Sequence, residues 1–348
     1  MADLSPLLTA SEAFLRDLDA QGDAATRLML KHYDPVQRRL LESLDKLQAQ
    51  IGELESPTKA QLYRLDRYQS LLQQVNTEMG RMGQLLGDQL PGLTDDAGQV
   101  GMQAAEELVR LQANSAGIAA AFNKMSVANV QRAVSFVSPE SPLTQMLVGR
   151  YGESWAEVIA SQYVTGVALG QSPRVVIRNL KQTVTVAGPA DLDRIIRTAQ
   201  IWTYRQTNHV AWQRSGVVAG WIWSATLDTT TCGSCWAMNG TKHDVSETLD
   251  DHHRGRCAPI PQVVSSSDYQ VEPLDIPSGE EVFSRYSRGQ QESIAKAGGW
   301  LPQYRAWQDG AMAFSDMTRV QTDSIYGDMR SLRPLVSILG SDAEQYYS

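Results

Sequence analysis

A mainly helical chain with one small β element, an α+β protein, is what three features of the sequence predict. Apolar residues recur at steps of three and four from Asp34 to Leu90, and at Val217 the period shortens to two. All three cysteines fall between positions 232 and 257, beside two of the five histidines. In chain order this reads as an N-terminal helical hairpin, a helical core, a metal-stapled strand and loop segment, and C-terminal helices.

The hairpin is the first element. Asp34-Pro35 reads as a cap with proline at the first helical position, followed by a seam of Leu40, Leu44, Leu47, Ile51 and Leu54. Ser56-Pro57 restarts a helix that carries Leu65, Tyr68, Leu72, Val75, Met79, Met82 and Leu86 as far as Leu90-Pro91-Gly92. Two such helices joined by a Ser-Pro turn should pack antiparallel along the seam.

A third helix is expected from Asp96 to Gln112, then a small-residue join at Ala116–Ala121. Helices follow at Ser126–Val137, Leu143–Tyr151, Trp155–Leu169 and Pro173–Lys181, the last capped by Ser172. A longer one, Pro189–Gln213, ends at Gly216. Val217–Thr226, rich in Val, Ile and Trp, reads as a strand leading into the cysteines. A Ser-rich linker to Ser267 and an extended stretch Val271–Pro277 precede helices at Ser278–Ala297, Pro302–Asp309 and Thr322–Leu339.

The 348 residues, 42% of them hydrophobic, suffice for two or three cores, expected as 1–115 (helical arm), 116–265 (core with the cysteines) and 266–348 (C-terminal helices). There is no run of eighteen apolar residues, and Met1-Ala2-Asp3-Leu4-Ser5-Pro6 lacks the basic and apolar regions of a secretory signal. A soluble protein made in a reducing cytoplasm is therefore expected. The net charge of −8 gives no whole-molecule attraction for nucleic acid. Contact with DNA would have to come from local cations, with Arg174, Arg178, Lys181, Arg194, Arg197 and Arg205 as the candidates, and such residues are more often a solvated helix face.

The cysteine segment carries the chemistry. Cys232 and Cys235, spaced i and i+3 around Gly233-Ser234, can turn inward on one ion. Sixteen residues separate Cys235 from His252 and four separate His252 from Cys257, which completes a Cys3His set. His253 is the alternative to His252. Four protein ligands leave no open coordination position, so the Zn2+ would be structural. Clustered cysteines in a reducing compartment speak for metal and against a disulfide framework. No His-x-Glu precedes the Cys-x-x-Cys, and no Gly-x-Ser-x-Gly, His-Glu-x-x-His or glycine-rich phosphate loop occurs, so no enzymatic activity is expected.

The run Trp223–Gly240, with Asp228, Thr231, Cys232, Cys235 and Gly240, and the closure His252–Cys257 with Arg256, resembles the minor head (head morphogenesis, Mu F-like) proteins of tailed bacteriophages. That family has Asp-x-x-Thr-Cys-x-x-Cys, a glycine turn, and a His-x-x-Cys-Arg-Cys closure. Gly255 departs from the pattern by replacing the first closing cysteine. The resemblance extends over residues 126–340 and implies a minor capsid protein of the virion, associated with the portal vertex and acting in procapsid assembly and genome packaging or ejection. It implies the portal protein and the major capsid or scaffold proteins as partners, packaged DNA as a further one, several copies per virion, and location in the capsid interior or at the portal vertex. Two other readings are a DNA-binding internal virion protein and, more distantly, a zinc-dependent enzyme or toxin.

Overall fold

The structure is a computed structural model that describes residues 5–53, 58, 61–62, 64–113, 116–123, 157–166, 169, 171–267 and 269–347. The expected helices at 126–137 and 143–151 and the Ser56-Pro57 turn lie outside the described residues. The chain divides into two compact units, residues 1–18, 96–134 and 200–348 in one and 19–95 and 135–199 in the other. The boundaries expected near 115 and 265 both fall within the first.

The second unit is helical and contains the hairpin. Helix α1, Ser5–Gly52, and helix α2, Asp66–Arg110, bury Leu40, Leu44, Leu47 and Ile51 on one side and Tyr68, Leu71, Val75, Met79, Met82 and Leu86 on the other, with Leu65 buried just before α2. The seam runs through Leu71, with Leu72 half-buried beside it. Pairing is antiparallel and in register: Arg39 donates to Glu78 at 2.6 and 2.7 Å, Ser43 bonds Gln74, and the Arg67 N–H donates to Gln50 at 3.3 Å. Each step forward along α1 is matched by an equal step back along α2.

Both helices are longer than the sequence suggests, because neither proline ends one. Pro35 lies inside α1 and Pro91 inside α2, so the separate helix expected at Asp96 is the continuation of α2. An interior proline removes a hydrogen bond and costs about 3 kcal/mol. The apolar stripe continues through both sites, however, with Met29 and Tyr33 before Pro35 and Ala97 after Pro91 fully buried. Thr94 also donates its hydroxyl to the carbonyls of Leu90 and Pro91, at 2.9 and 3.1 Å.

Residues 157–166 are helical, and Tyr163 stacks on Tyr68 at 4.0 Å while donating to the Leu62 carbonyl. Helix α3, Ala116–Asn123, stands where a small-residue join was expected. Helix α4, Pro173–Gln182, begins after Ser172, whose side chain makes no cap bond. It does not stop before Pro189. A π turn, Thr183–Ala187, carries the chain straight into helix α5, Gly188–Ser215. In that wide turn the Gly188 N–H reaches the Thr183 carbonyl, and the next carbonyl, Val184, faces a proline with no N–H to give. Tyr33 and Gln37 of α1 donate to it instead, at 2.9 and 3.2 Å.

The first unit holds the β structure. Gly216, at φ +68°, ends α5, and strand β1, Val218–Ser224, pairs antiparallel with β2, Lys242–Asp244, and β3, Ala258–Val263, in the order β2-β1-β3. Pro259 and Pro261 hid β3 from a reading by composition. Proline is tolerated there because β3 is an edge strand, with Pro259 opposite Trp223 and Pro261 opposite Trp221. Gln112, just past the end of α2, clips that edge by donating to the Pro261 carbonyl and accepting from the Val263 N–H. Trp212, Trp221, Trp223, Ile222 and Ile260 fill the core between sheet and helices.

The C-terminal region differs from expectation in two places. The helix expected at Ser278–Ala297 is two helices, Gly279–Phe283 and Arg288–Ala297, because Ser287 with Gln290 forms a second capping box. The helix expected at Thr322–Leu339 is mostly a hairpin of β4, Thr318–Asp323, and β5, Gly327–Leu332, and only Val336–Leu339 is α-helical. Thr318, Val320 and Thr322 place β-branched residues at alternate positions, which is a strand signal.

Candidate metal centre

Strand β1 delivers the chain to a tight loop and then to helix α6, Gly233–Met238. Asp228 builds the loop, because its Oδ1 accepts from the Thr230 N–H at 2.9 Å and from the Thr231 hydroxyl at 3.1 Å. Arg256 donates to both oxygens of Asp228, at 2.6 and 2.8 Å, and this ties the start of the segment to its end. Those bonds hold the Asp228 carboxyl well below the usual carboxylate range, with Arg256 the main cause. After α6, Asn239 accepts from the Ala225 N–H and donates to the Pro277 carbonyl. Gly240, at φ +82°, passes where a Cβ would stand 2.7 Å from the Ile276 carbonyl oxygen. The residues of the family pattern other than the cysteines and histidine thus frame the turn.

Cys232 is the N-cap of α6, and its Sγ accepts from the Cys235 N–H. Its sulfur lies 3.3 Å from Cys235 Sγ, and His252 Nε2 stands 3.2 Å from Cys232 Sγ and 3.3 Å from Cys235 Sγ. His252 donates Nδ1–H to the His253 carbonyl at 2.8 Å, which turns Nε2 toward the thiols. His253 points elsewhere, with Nε2 3.5 Å from Asp323 and its ring edge-on to Tyr326. Cys257 Sγ comes within 4.8 Å of Cys235 and Asp251.

Two residues missed by the sequence reading complete the cluster. Asp251 is buried, and its Oδ1 lies 3.4 Å from Cys235 Sγ while accepting from the His252 N–H at 2.8 Å. Arg205 of α5, also buried, donates to Asp251 Oδ2 at 2.9 Å and to the carbonyls of Gly255 and Cys257. The sequence Asp250-Asp251-His252 set a carboxylate beside a candidate ligand, which was a usable signal. Arg205, far away in the chain, offered none. Gly255 also has a structural reason, since a Cβ there would stand 1.9 Å from Asp251 Oδ2.

Hydrogen bonding to Cys235, together with His252, pulls the Cys232 thiol down to about 5, while the neighbouring Cys232 and Cys257 thiols push Cys235 up. Burial would lower His252, yet the Asp251 charge and Cys232 carry it up to about 10. These shifts run in the direction of charge pairing between His252 and its neighbours Cys232 and Asp251 in the metal-free centre. Binding of a metal would displace protons from it.

Around this cluster the first unit closes from both sides. Cys235 and Met238 of α6 face the core that contains Trp223 and Ile260, while Trp236 faces a second core with Phe283, Trp300, Phe314 and Met317. Trp300 donates to the Thr231 carbonyl at 3.2 Å. The loop that presents the thiols is thus anchored by sheet, helix and C-terminal region alike.

The basic candidates are mostly engaged with acids. Arg197 meets Asp19, Asp23 and Asp193, Arg194 meets Asp191, Lys181 meets Asp45, and Arg205 serves the cluster. Arg174 and Arg178 are exposed on α4. No helix among the described residues is long and apolar enough to cross a membrane.

Residues 157–261, which include α4, α5, β1, β2, most of β3 and the whole cysteine cluster, match the sequence model of the family described as Phage Mu protein F like protein. No curated protein and no solved structure matches the chain. That match supports a phage head-morphogenesis family for this segment, in agreement with the resemblance of its cysteine residues to the phage Mu protein F like proteins.

Proposed function

We propose that the protein is a structural, non-catalytic component of a phage head, associated with the portal vertex and acting in procapsid assembly and in genome packaging or ejection. The observation that carries this reading is the position of the donor cluster, within the C-terminal part of the family-matched segment and buried between two cores. Residues so placed serve cohesion. The donor chemistry suits zinc, with soft thiolates and an imidazole whose second nitrogen is already bonded to a carbonyl. Cys232, Cys235 and His252 would hold it, with a fourth donor from the loop 251–257, where the sequence puts Cys257. The ion would supply cross-links between α6 and that loop, and structural zinc of this kind is worth about 10–16 kcal/mol of apparent binding at neutral pH.

Portal, major capsid and scaffold proteins are the proposed partners. Co-expression with the portal protein tests this: the chain should co-purify with portal rings and enter procapsids in several copies. Recovery of the chain only as free protein beside chain-free procapsids would contradict it. The DNA-binding alternative is weakened by the carboxylates on Lys181, Arg194 and Arg197. Salt-dependent binding to duplex DNA would revive it.

A further inference from the structure

Cys232 Sγ, Cys235 Sγ and His252 Nε2 stand 3.2 to 3.3 Å apart, and one oxygen of Asp251 lies beside two of them. Its Oδ1 lies 3.4 Å from Cys235 Sγ and 3.6 Å from His252 Nε2. Donors about 2.0–2.3 Å from a tetrahedral zinc stand roughly 3.3–3.8 Å from each other. The carboxylate oxygen therefore keeps ligand-like spacing to both of those atoms.

We propose that Asp251, through Oδ1, is the fourth donor of the metal centre, completing Cys232, Cys235 and His252. This deepens the zinc reading above and rests on it. Three observations support the assignment. The Asp251 side chain is 1% exposed and has its other oxygen fixed by Arg205, so Oδ1 is presented from a rigid mount. The space for that carboxylate exists only because residue 255 has no side chain, since a Cβ would stand 1.9 Å from Oδ2. Zn2+ with two thiolates and one carboxylate carries a formal charge of −1, and the buried guanidinium of Arg205 offsets it. Cys257 lies on the far side of this carboxylate, with its N–H 3.4 Å from Asp251 Oδ2 and its carbonyl accepting from Arg205. Its thiol lies within 4.8 Å of Cys235 and Asp251, in the core that also holds Cys235.

The test uses the full chain, loaded with zinc for X-ray absorption at the metal edge and with Co2+ for optical titration. The wild-type protein should show two sulfur neighbours, Cys232 and Cys235, and two lighter ones. Cys257→Ser should keep both the metal and the spectrum. Asp251→Asn, which preserves the shape and can still accept from Arg205, should lower Co2+ affinity by more than about tenfold while circular dichroism stays unchanged. Asp251→Ala combined with Gly255→Cys places a thiol in the vacated space, and a third sulfur neighbour should appear with recovered affinity. Three sulfur neighbours in the wild type, together with metal loss in Cys257→Ser, would overturn the assignment and leave zinc binding intact. Failure of the wild type to take up either metal would remove the zinc reading itself.

Discussion

Arg256 holds both oxygens of Asp228, and through that one pair the loop before Cys232 is fastened to the turn before Cys257. The two halves of the cysteine segment thus meet through side chains that offer nothing to a metal. This gives the arginine and aspartate of the pattern a reason of their own.

That pair sets an acid dependence. Asp228 has its folded value depressed, so its contribution is full above the unfolded carboxylate value of about 4 and is lost as pH falls through the folded one. Both side chains are more than a third exposed, at 40% and 38%, so screening limits the pair to about 1 kcal/mol or less. Urea unfolding of Asp228→Asn should show this loss at pH 7 and a flatter acid limb. An acid limb identical to wild type would remove the role.

His209 acts over a different window. Burial holds it below its ordinary value, and its ring faces the Gln213 amide at 3.1 Å. A histidine lowered in the fold leaves stability intact above its unfolded value of about 6.5, and stability declines as pH falls from there toward the folded value. His209→Gln should unfold with less pH dependence between pH 7.5 and 5.5 than the wild type, measured as the difference in urea midpoint. Equal slopes would contradict it.

The π turn before Pro189 makes a third prediction. Its Val184 carbonyl depends on the Tyr33 hydroxyl and the Gln37 amide. Tyr33→Phe removes the buried donor without changing the packing and should cost about 1–2 kcal/mol in denaturant unfolding. A neutral result would mean that Gln37 alone satisfies the carbonyl.

The hairpin was legible because Leu40, Leu44, Leu47 and Val75 repeat at coiled-coil spacing, and period alone fixes which face is buried. Its ends were not, since Pro35 reads locally as a helix start and Pro91 as a stop, and both are overridden by an apolar stripe that needs the whole helix to be seen. The cysteines and His252 stood out by spacing. Arg205 could not, because its meeting with Asp251 depends on how α5 packs against a loop 46 residues away. Edge position, which makes Pro259 and Pro261 acceptable in β3, is likewise a property of the sheet and not of the sequence near it.

Zinc content measured together with thermal unfolding, before and after chelation, tests the central claim most directly. One zinc per chain is expected, removable by chelator, with loss of the cooperative transition of the unit that contains residues 200–348 and its recovery when zinc is returned. Protein that carries no zinc and unfolds with the same cooperative transition in chelator would contradict it.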